Sequence, residues 1–170
     1  MVEHLEVVKE GKTLKIGLKP GRIYNIRQAT MEAEVTMPEL TGLKLSGASH
    51  GTITRFKSTK ALDVDVSGAS QLQGDIEAGD ARFEVSGASQ ATLSGSGQDV
   101  TIDASGASKV DLSAFPVADA SVGASGASSV TLNLSGRLDA EASGASHVYY
   151  LGNPTLGSID TSGASSVKRK

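Results

Sequence analysis

The sequence predicts an all-β fold: a right-handed, single-stranded parallel β-helix (β-solenoid) of about seven regular coils of 18–21 residues, behind an N-terminal cap of irregular strands. Three observations carry that prediction. The tetrapeptide Ser-Gly-Ala-Ser recurs from Ser46, Ser67, Ser86, Ser105, Ser125, Ser143 and Ser162, at spacings of 21, 19, 19, 20, 18 and 19 residues. Self-similarity at a near-constant period marks a repeat architecture. The residues flanking each tetrapeptide alternate apolar and polar with a period of two, as in strands with one buried face. Rings are scarce and glycine is abundant, with 4% aromatics, no Trp and 20 Gly, so the core must be built from Val, Leu, Ile and Ala in thin layers.

Taken in order, residues 1–40 differ in kind from the rest. Met1-Val2-Glu3-His4 leads straight into a strand pattern without a signal peptide, so the beginning reads as a truncated start. Leu5–Val8 and Thr13–Leu18 form a hairpin pattern around Glu10-Gly11-Lys12, and Glu32–Met37 leads through Pro38 into the first coil. These residues are expected to be degenerate coils or a cap, because the open end of a solenoid is a sheet edge that must be covered. That edge is the expected place for self-association into a homo-oligomer.

Residues 41–170 carry the seven coils, within a single domain. Three residues before each tetrapeptide stand Leu43, Val64, Phe83, Ile102, Val122, Ala140 and Ile159; one before stand Leu45, Val66, Val85, Ala104, Ala124, Ala142 and Thr161. Between them lie Lys44, Asp65, Glu84, Asp103, Gly123, Glu141 and Asp160. After the turn, Leu72, Ala91, Val110, Val130 and Val148 are expected inward, Gln73, Thr92, Asp111 and Thr131 outward, and Leu93, Leu112 and Leu132 inward again. Looser connections follow, such as Ala78-Gly79-Asp80 and Phe115-Pro116-Val117-Ala118-Asp119. Helical repeats would show spacings of three and four and would avoid so much Gly and Ser. A hairpin meander needs no constant path length, whereas a parallel coil returns each residue type to the same azimuth about 4.8 Å higher. Such crossovers are right-handed by strong preference.

The turn has a physical reading. Gly47, Gly68, Gly87, Gly106, Gly126, Gly144 and Gly163 are expected to supply a positive φ or a close approach between coils. Ala48, Ala69, Ala88, Ala107, Ala127, Ala145 and Ala164 are expected to face inward at the corner, so that Ala107→Leu would overpack it at a cost of about 1–3 kcal/mol. The serines are placed to hydrogen-bond local backbone or the next serine along the stack.

The net charge of -3 and pI near 5.6 argue against nucleic acid, which needs a basic footprint. No cysteine is present, which excludes disulfides and Cys-based zinc sites. No apolar run approaches the roughly 20 residues of a transmembrane helix.

The segment Val35-Thr36-Met37-Pro38-Glu39-Leu40-Thr41-Gly42-Leu43-Lys44-Leu45-Ser46-Gly47-Ala48-Ser49, followed by the iterated Ser-Gly-Ala-Ser units, resembles the putative auto-transporter adhesin head domain, also called the GIN domain. The likeness covers nearly the whole chain. It implies a right-handed β-helix with Gly-Ser turns, a bacterial origin, and an exported or cell-envelope location. It also implies a non-catalytic role in adhesion with an unknown protein or glycan partner, and brings no catalytic residues or cofactors.

Other chemistries compete with that expectation. Seven serines with His50 and His147 nearby invite a hydrolase reading, but the same column holds Gln71, Gln90, Lys109, Ser129 and Ser166 in other coils, the pattern of a solvated face. The acidic residues Asp63, Asp65, Glu84 and Asp103, continued by Asp139, Glu141 and Asp160, read as a solubilising face relieved by Lys44 and Arg82. The sharper alternative is a weak Ca²⁺ column. A carbohydrate-binding or carbohydrate-active β-helix, lyase- or hydrolase-like and using that acidic face, is the alternative function. It would need a few unique residues breaking the repeat in a long-looped cleft, and here the connections are short. Of Tyr149 and Tyr150, neighbours on a strand, only one can face outward. Thr52, Thr92 and Thr131 form an outward column of the ice-binding type, interrupted by Gln73 and Asp111. Asn133-Leu134-Ser135 fits a glycosylation sequon, and Lys168-Arg169-Lys170 reads as a solvated end.

Overall fold

Alternating residues with a constant path length per turn build strands that stack rather than fold back. A computed structural model describes residues 5–19 and 31–170; the Met1–His4 start and residues 20–30 of the expected cap lie outside them. The chain divides into two units, Met1–Met37 and Pro38–Lys170.

In the first unit, β1 (Leu5–Glu10) and β2 (Thr13–Leu18) pair antiparallel as the expected hairpin, with Leu5 opposite Leu18 and Val7 opposite Ile16. One face gathers Leu5, Val7, Leu14, Ile16 and Leu18, and Val7 is 62% exposed. Residues 31–41 form no strand.

The second unit is a stack of seven two-stranded coils. The strands preceding the turns are β3 (Gly42–Leu45), β5 (Leu62–Val66), β7 (Ala81–Val85), β9 (Val100–Ala104), β11 (Ala120–Ala124), β13 (Arg137–Ala142) and β15 (Thr155–Thr161). Those following them are β4 (His50–Lys57), β6 (Gln71–Glu77), β8 (Gln90–Ser96), β10 (Lys109–Val117), β12 (Ser129–Leu134), β14 (His147–Leu151) and β16 (Ser166–Arg169). Odd strands from β3 form one seven-stranded parallel sheet and even strands from β4 another. The register places Val64, Phe83, Ile102, Val122 and Ala140 in one column, and Val66, Val85, Ala104, Ala124 and Ala142 in a second. All ten are buried, as are Leu72, Ala91, Val110, Val130 and Val148 across the core.

The corner corrects one expectation. Ala69, Ala88, Ala107, Ala127 and Ala145 are exposed, while the serine after each of them is buried: Ser70, Ser89, Ser108, Ser128 and Ser146 are at most 2% exposed. The positive φ of the glycine swings the Ala Cβ out to solvent and returns the next residue to the interior. That position needs a hydroxyl. Ser146 Oγ donates to Ser143 O at 2.9 Å and lies 3.0 Å from Ala124 O in the coil before; Ser165 Oγ repeats the arrangement with Ser162 O and Ala142 O, both at 2.8 Å. In the early coils Ser49 Oγ likewise donates to Ser46 O at 2.8 Å, and the column also accepts, Ser49 N–H and Ser70 N–H each donating to the next serine's Oγ at 3.3 Å. Ser108 Oγ, between these two patterns, has no partner. With Ala107 outside, Ala107→Leu does not overpack the corner: urea unfolding should give the variant a stability within about 0.5 kcal/mol of the native protein, as for exposed substitutions. Ser108→Leu, aimed inward, should not.

A second departure concerns Phe115. Its segment reads as a connection, yet it belongs to β10, where the register against β12 shifts between Leu112 and Pro116. That bulge turns the ring inward, and Phe115 is fully buried.

Candidate functional site

Because strand residues alternate, every second side chain of each sheet forms an outward column at coil spacing. On the odd sheet the column runs Lys44, Asp65, Glu84, Asp103, Gly123, Glu141 and Asp160. Stacked carboxylates about 4.8 Å apart would repel, and cations are interleaved to prevent it. Lys44 Nζ donates to Asp65 Oδ2 at 2.6 Å, and Arg82 Nη2 donates to Glu84 Oε1 and to Asp103 Oδ2, both at 2.8 Å. These bonds hold the Lys44 ammonium and the Arg82 guanidinium above their usual pKa values. Lys44, Asp65, Ser67, Glu84, Ser86 and Asp103 line a shallow groove of about 530 Å³ on this face. Of the candidate cation column Asp63, Asp65, Glu84 and Asp103, Asp65 is thus paired with Lys44, and Glu84 and Asp103 share Arg82. No group of three or more His, Asp or Glu among the described residues is placed to hold one.

Further along the sheet, sequence reasoning missed a clasp. Arg137 Nε and Nη2 donate to both oxygens of Asp139, at 2.7 and 2.8 Å, and Ser158 N–H donates to Asp139 Oδ1 at 2.7 Å. The Arg137 hydrogen bonds, followed by that of Ser158, pull the Asp139 carboxyl from 3.8 to about 2. A folded pKa below the unfolded value means stability present above about pH 4 and lost as pH falls toward 2. Asp139→Asn should therefore flatten the fall of the urea midpoint between pH 4 and pH 2, where the native protein declines more steeply. Signals for the clasp are visible only as an Arg-x-Asp pair, which shares one strand face.

On the even sheet two outward columns run in register: His50, Gln71, Gln90, Lys109, Ser129, His147, Ser166, and Thr52, Gln73, Thr92, Asp111, Thr131, Tyr149, Lys168. Their early part is amides and hydroxyls, with Gln90 Nε2 donating to Thr92 Oγ1 at 3.3 Å. Their late part holds rings and charges. Tyr149 and His147 share the outer face, with ring centroids 6.2 Å apart and tilted by 44°, and His147 Nδ1 lies 3.0 Å from Ser166 Oγ. Tyr150 packs against the core, as strand alternation requires. Thr131, expected outward, sits between Asp111 and Tyr149 and is only 5% exposed. Burial pushes the Asp111 carboxyl up, but hydrogen bonds from the Ser113 hydroxyl and N–H, with Lys109 and Lys170 nearby, hold it below the usual range.

Of the serines in the hydrolase reading, the second of each central turn is buried, while the first is not, as at the exposed Ser105. His50 and His147 lie in one column but on the first and sixth coils. No carboxylate among the described residues hydrogen-bonds to either imidazole. Asn133, the sequon residue, is half-buried and donates its amide to Ser113 O at 3.3 Å, beside a depression of about 250 Å³ lined by Pro116, Leu134 and Gly152.

A family model described as "Putative auto-transporter adhesin, head GIN domain" matches residues 1–154. The crystal structure of a putative adhesin from Bacteroides fragilis NCTC 9343 is similar over 99% of this chain and 78% of that chain, with a TM-score of 0.88 at 20% identity, a likeness of fold. Comparison with curated proteins gives no match.

Proposed function

The chain belongs to the auto-transporter adhesin head GIN domain family, and from that premise we propose that it is a non-catalytic adhesive module that works at the cell surface by contacting a protein or glycan. The observation that carries the reading is the regular presentation of polar side chains. Two seven-stranded parallel sheets hold outward columns in register over successive coils, a geometry suited to an extended partner read at many points. Backbone hydrogen bonds link each coil to the next through the turns, such as Ala107 N–H to Gly87 O at 2.8 Å and Ala127 N–H to Gly106 O at 2.7 Å. Contact groups are thereby fixed before binding, which lowers the ordering cost of recognition.

The test has two arms. The gene product expressed in its own cells should be cleaved by protease added outside intact cells, and purified protein should attach saturably to a target cell or matrix. Cleavage only after lysis, or no saturable attachment across such a panel, would reject the reading. Steady release of reducing ends from a polysaccharide panel would reject its non-catalytic part and favour the carbohydrate-active alternative.

A further inference from the structure

The outer face of the even sheet is not uniform, and its late coils carry a combination found nowhere else on the described surface. Of the described Tyr and Phe rings, Phe83 and Phe115 are buried, Phe56 and Tyr150 pack against the core, and only Tyr149 lies in an outward column. His147, two residues earlier on the same strand face, extends it into a shallow V of two rings. Around these rings stand hydroxyls and charges: Ser166 beside His147, Lys168 in register with Tyr149, and Lys109 two coils below His147 in the same column. The charges differ from those of the odd sheet. There Lys44, Arg82 and Arg137 each face a carboxylate in a salt bridge, whereas neither Lys109, which has Asp111 nearby, nor Lys168 forms one with a described residue. A protein of net charge -3 thus presents cations outside salt bridges beside the one outward Tyr among the described residues.

The geometry points to this patch as a binding subsite for an acidic saccharide, a pyranose oligomer bearing ring carboxylates. The inference rests on the adhesive reading above and names the ligand class for it. A pyranose offers an apolar C–H face to an aromatic ring and hydroxyls around its edge, matching Tyr149 and His147 flanked by Ser166. Carboxylates toward the two ends of the oligomer reach Lys168 and Lys109, three coils apart. A peptide adding as a strand would lie along the open edge of β16 and not over the two rings, because β14, which carries them, is already paired on both sides by β12 and β16. An apolar side chain or lipid would find hydroxyls and ammonium groups at the rim instead of an apolar pocket.

The test is calorimetric titration of the whole chain with trigalacturonic acid, and with the neutral galactose trimer of the same linkage. The acidic trimer should bind and weaken with salt, and the neutral one should bind at least about tenfold less well, the worth of losing one central contact. Tyr149→Ala and Lys168→Ala should each lower affinity by about tenfold or more, Tyr149→Phe by less than about twofold, and Lys44→Ala on the other sheet not at all. Unchanged thermal unfolding of each variant would show that folding is not the cause. Binding of the acidic trimer that survives Tyr149→Ala, equal binding of the neutral trimer, or no binding of either up to millimolar concentration would each overturn the subsite. Cell attachment separates the two readings. Attachment that persists after enzymatic removal of surface glycans would overturn the saccharide assignment and leave the adhesive module standing, loss of attachment on that treatment would support both, and no attachment to untreated cells would remove both.

Discussion

Gly106→Ala is expected to destabilise the solenoid by about 2–4 kcal/mol, and the chemically identical change Gly47→Ala by only about 1 kcal/mol. Both glycines hold the same left-handed backbone, φ +77° and +79°. An L-residue there costs about 1–2 kcal/mol, partly offset by the lower entropy of an unfolded chain with Ala in place of Gly. The two differ in what lies beneath. A Cβ on Gly106 would stand 2.5 Å from Gly87 O and 3.1 Å from Gly87 N in the preceding coil, while one on Gly47 would meet nothing within 4 Å. Gly87 O already accepts the Ala107 N–H at 2.8 Å, so the added methyl must push two coils apart and weaken a bond of the stack. Urea unfolding of the two variants side by side measures the difference. Equal midpoints would mean that glycine serves the turn conformation alone and not the close approach of coils.

Phe115→Ala should cost about 3–5 kcal/mol, the range for removing a buried ring. Phe115 is fully buried, and its ring reaches so close to the coil below that a Cβ on Gly97 would come within 2.8 Å of it. No small shift fills the void, because β10 is pinned by parallel pairing on both sides, to β8 and β12. Phe115→Leu should recover more than half of the loss. The position is also central in the stack, and a repeat protein's stability is roughly a sum of coil and neighbour-interface terms. A lower dependence of free energy on urea should therefore accompany the loss, as the two halves begin to unfold separately. A cost below about 1 kcal/mol for Phe115→Ala would show that the bulge, and not the ring, holds this part of the core.

Much of this architecture is legible one residue at a time. Asp65, Glu84 and Asp103 were readable as one column because the period brings them into line, and Lys44 and Arg82 as its neutralising partners because they share that sheet face. The corner was not legible in the same way. Alternation assigns inside and outside only while the backbone stays extended, and a glycine with φ near +75° breaks the phase, so that the apolar Ala88 goes out and the polar Ser89 goes in. Phe115 was hidden for a related reason: Pro116 gives the segment the look of a loop, and the bulge that turns the ring inward is a property of pairing with β8 and β12, not of local sequence.

The patch around Tyr149 lies between these cases. Tyr149 and His147 share a face by simple alternation, but Lys168 joins them only through the pairing of β14 with β16, and Lys109 only through two further strands. What the sequence by itself determined is the repeat, the two strands per coil and the residues able to stand in columns, because period and alternation are local and additive along the chain. Tertiary structure alone decided which side of each corner faces water, where a ring drops into the core, and which cations remain without a carboxylate, because those depend on the atoms of the coils above and below.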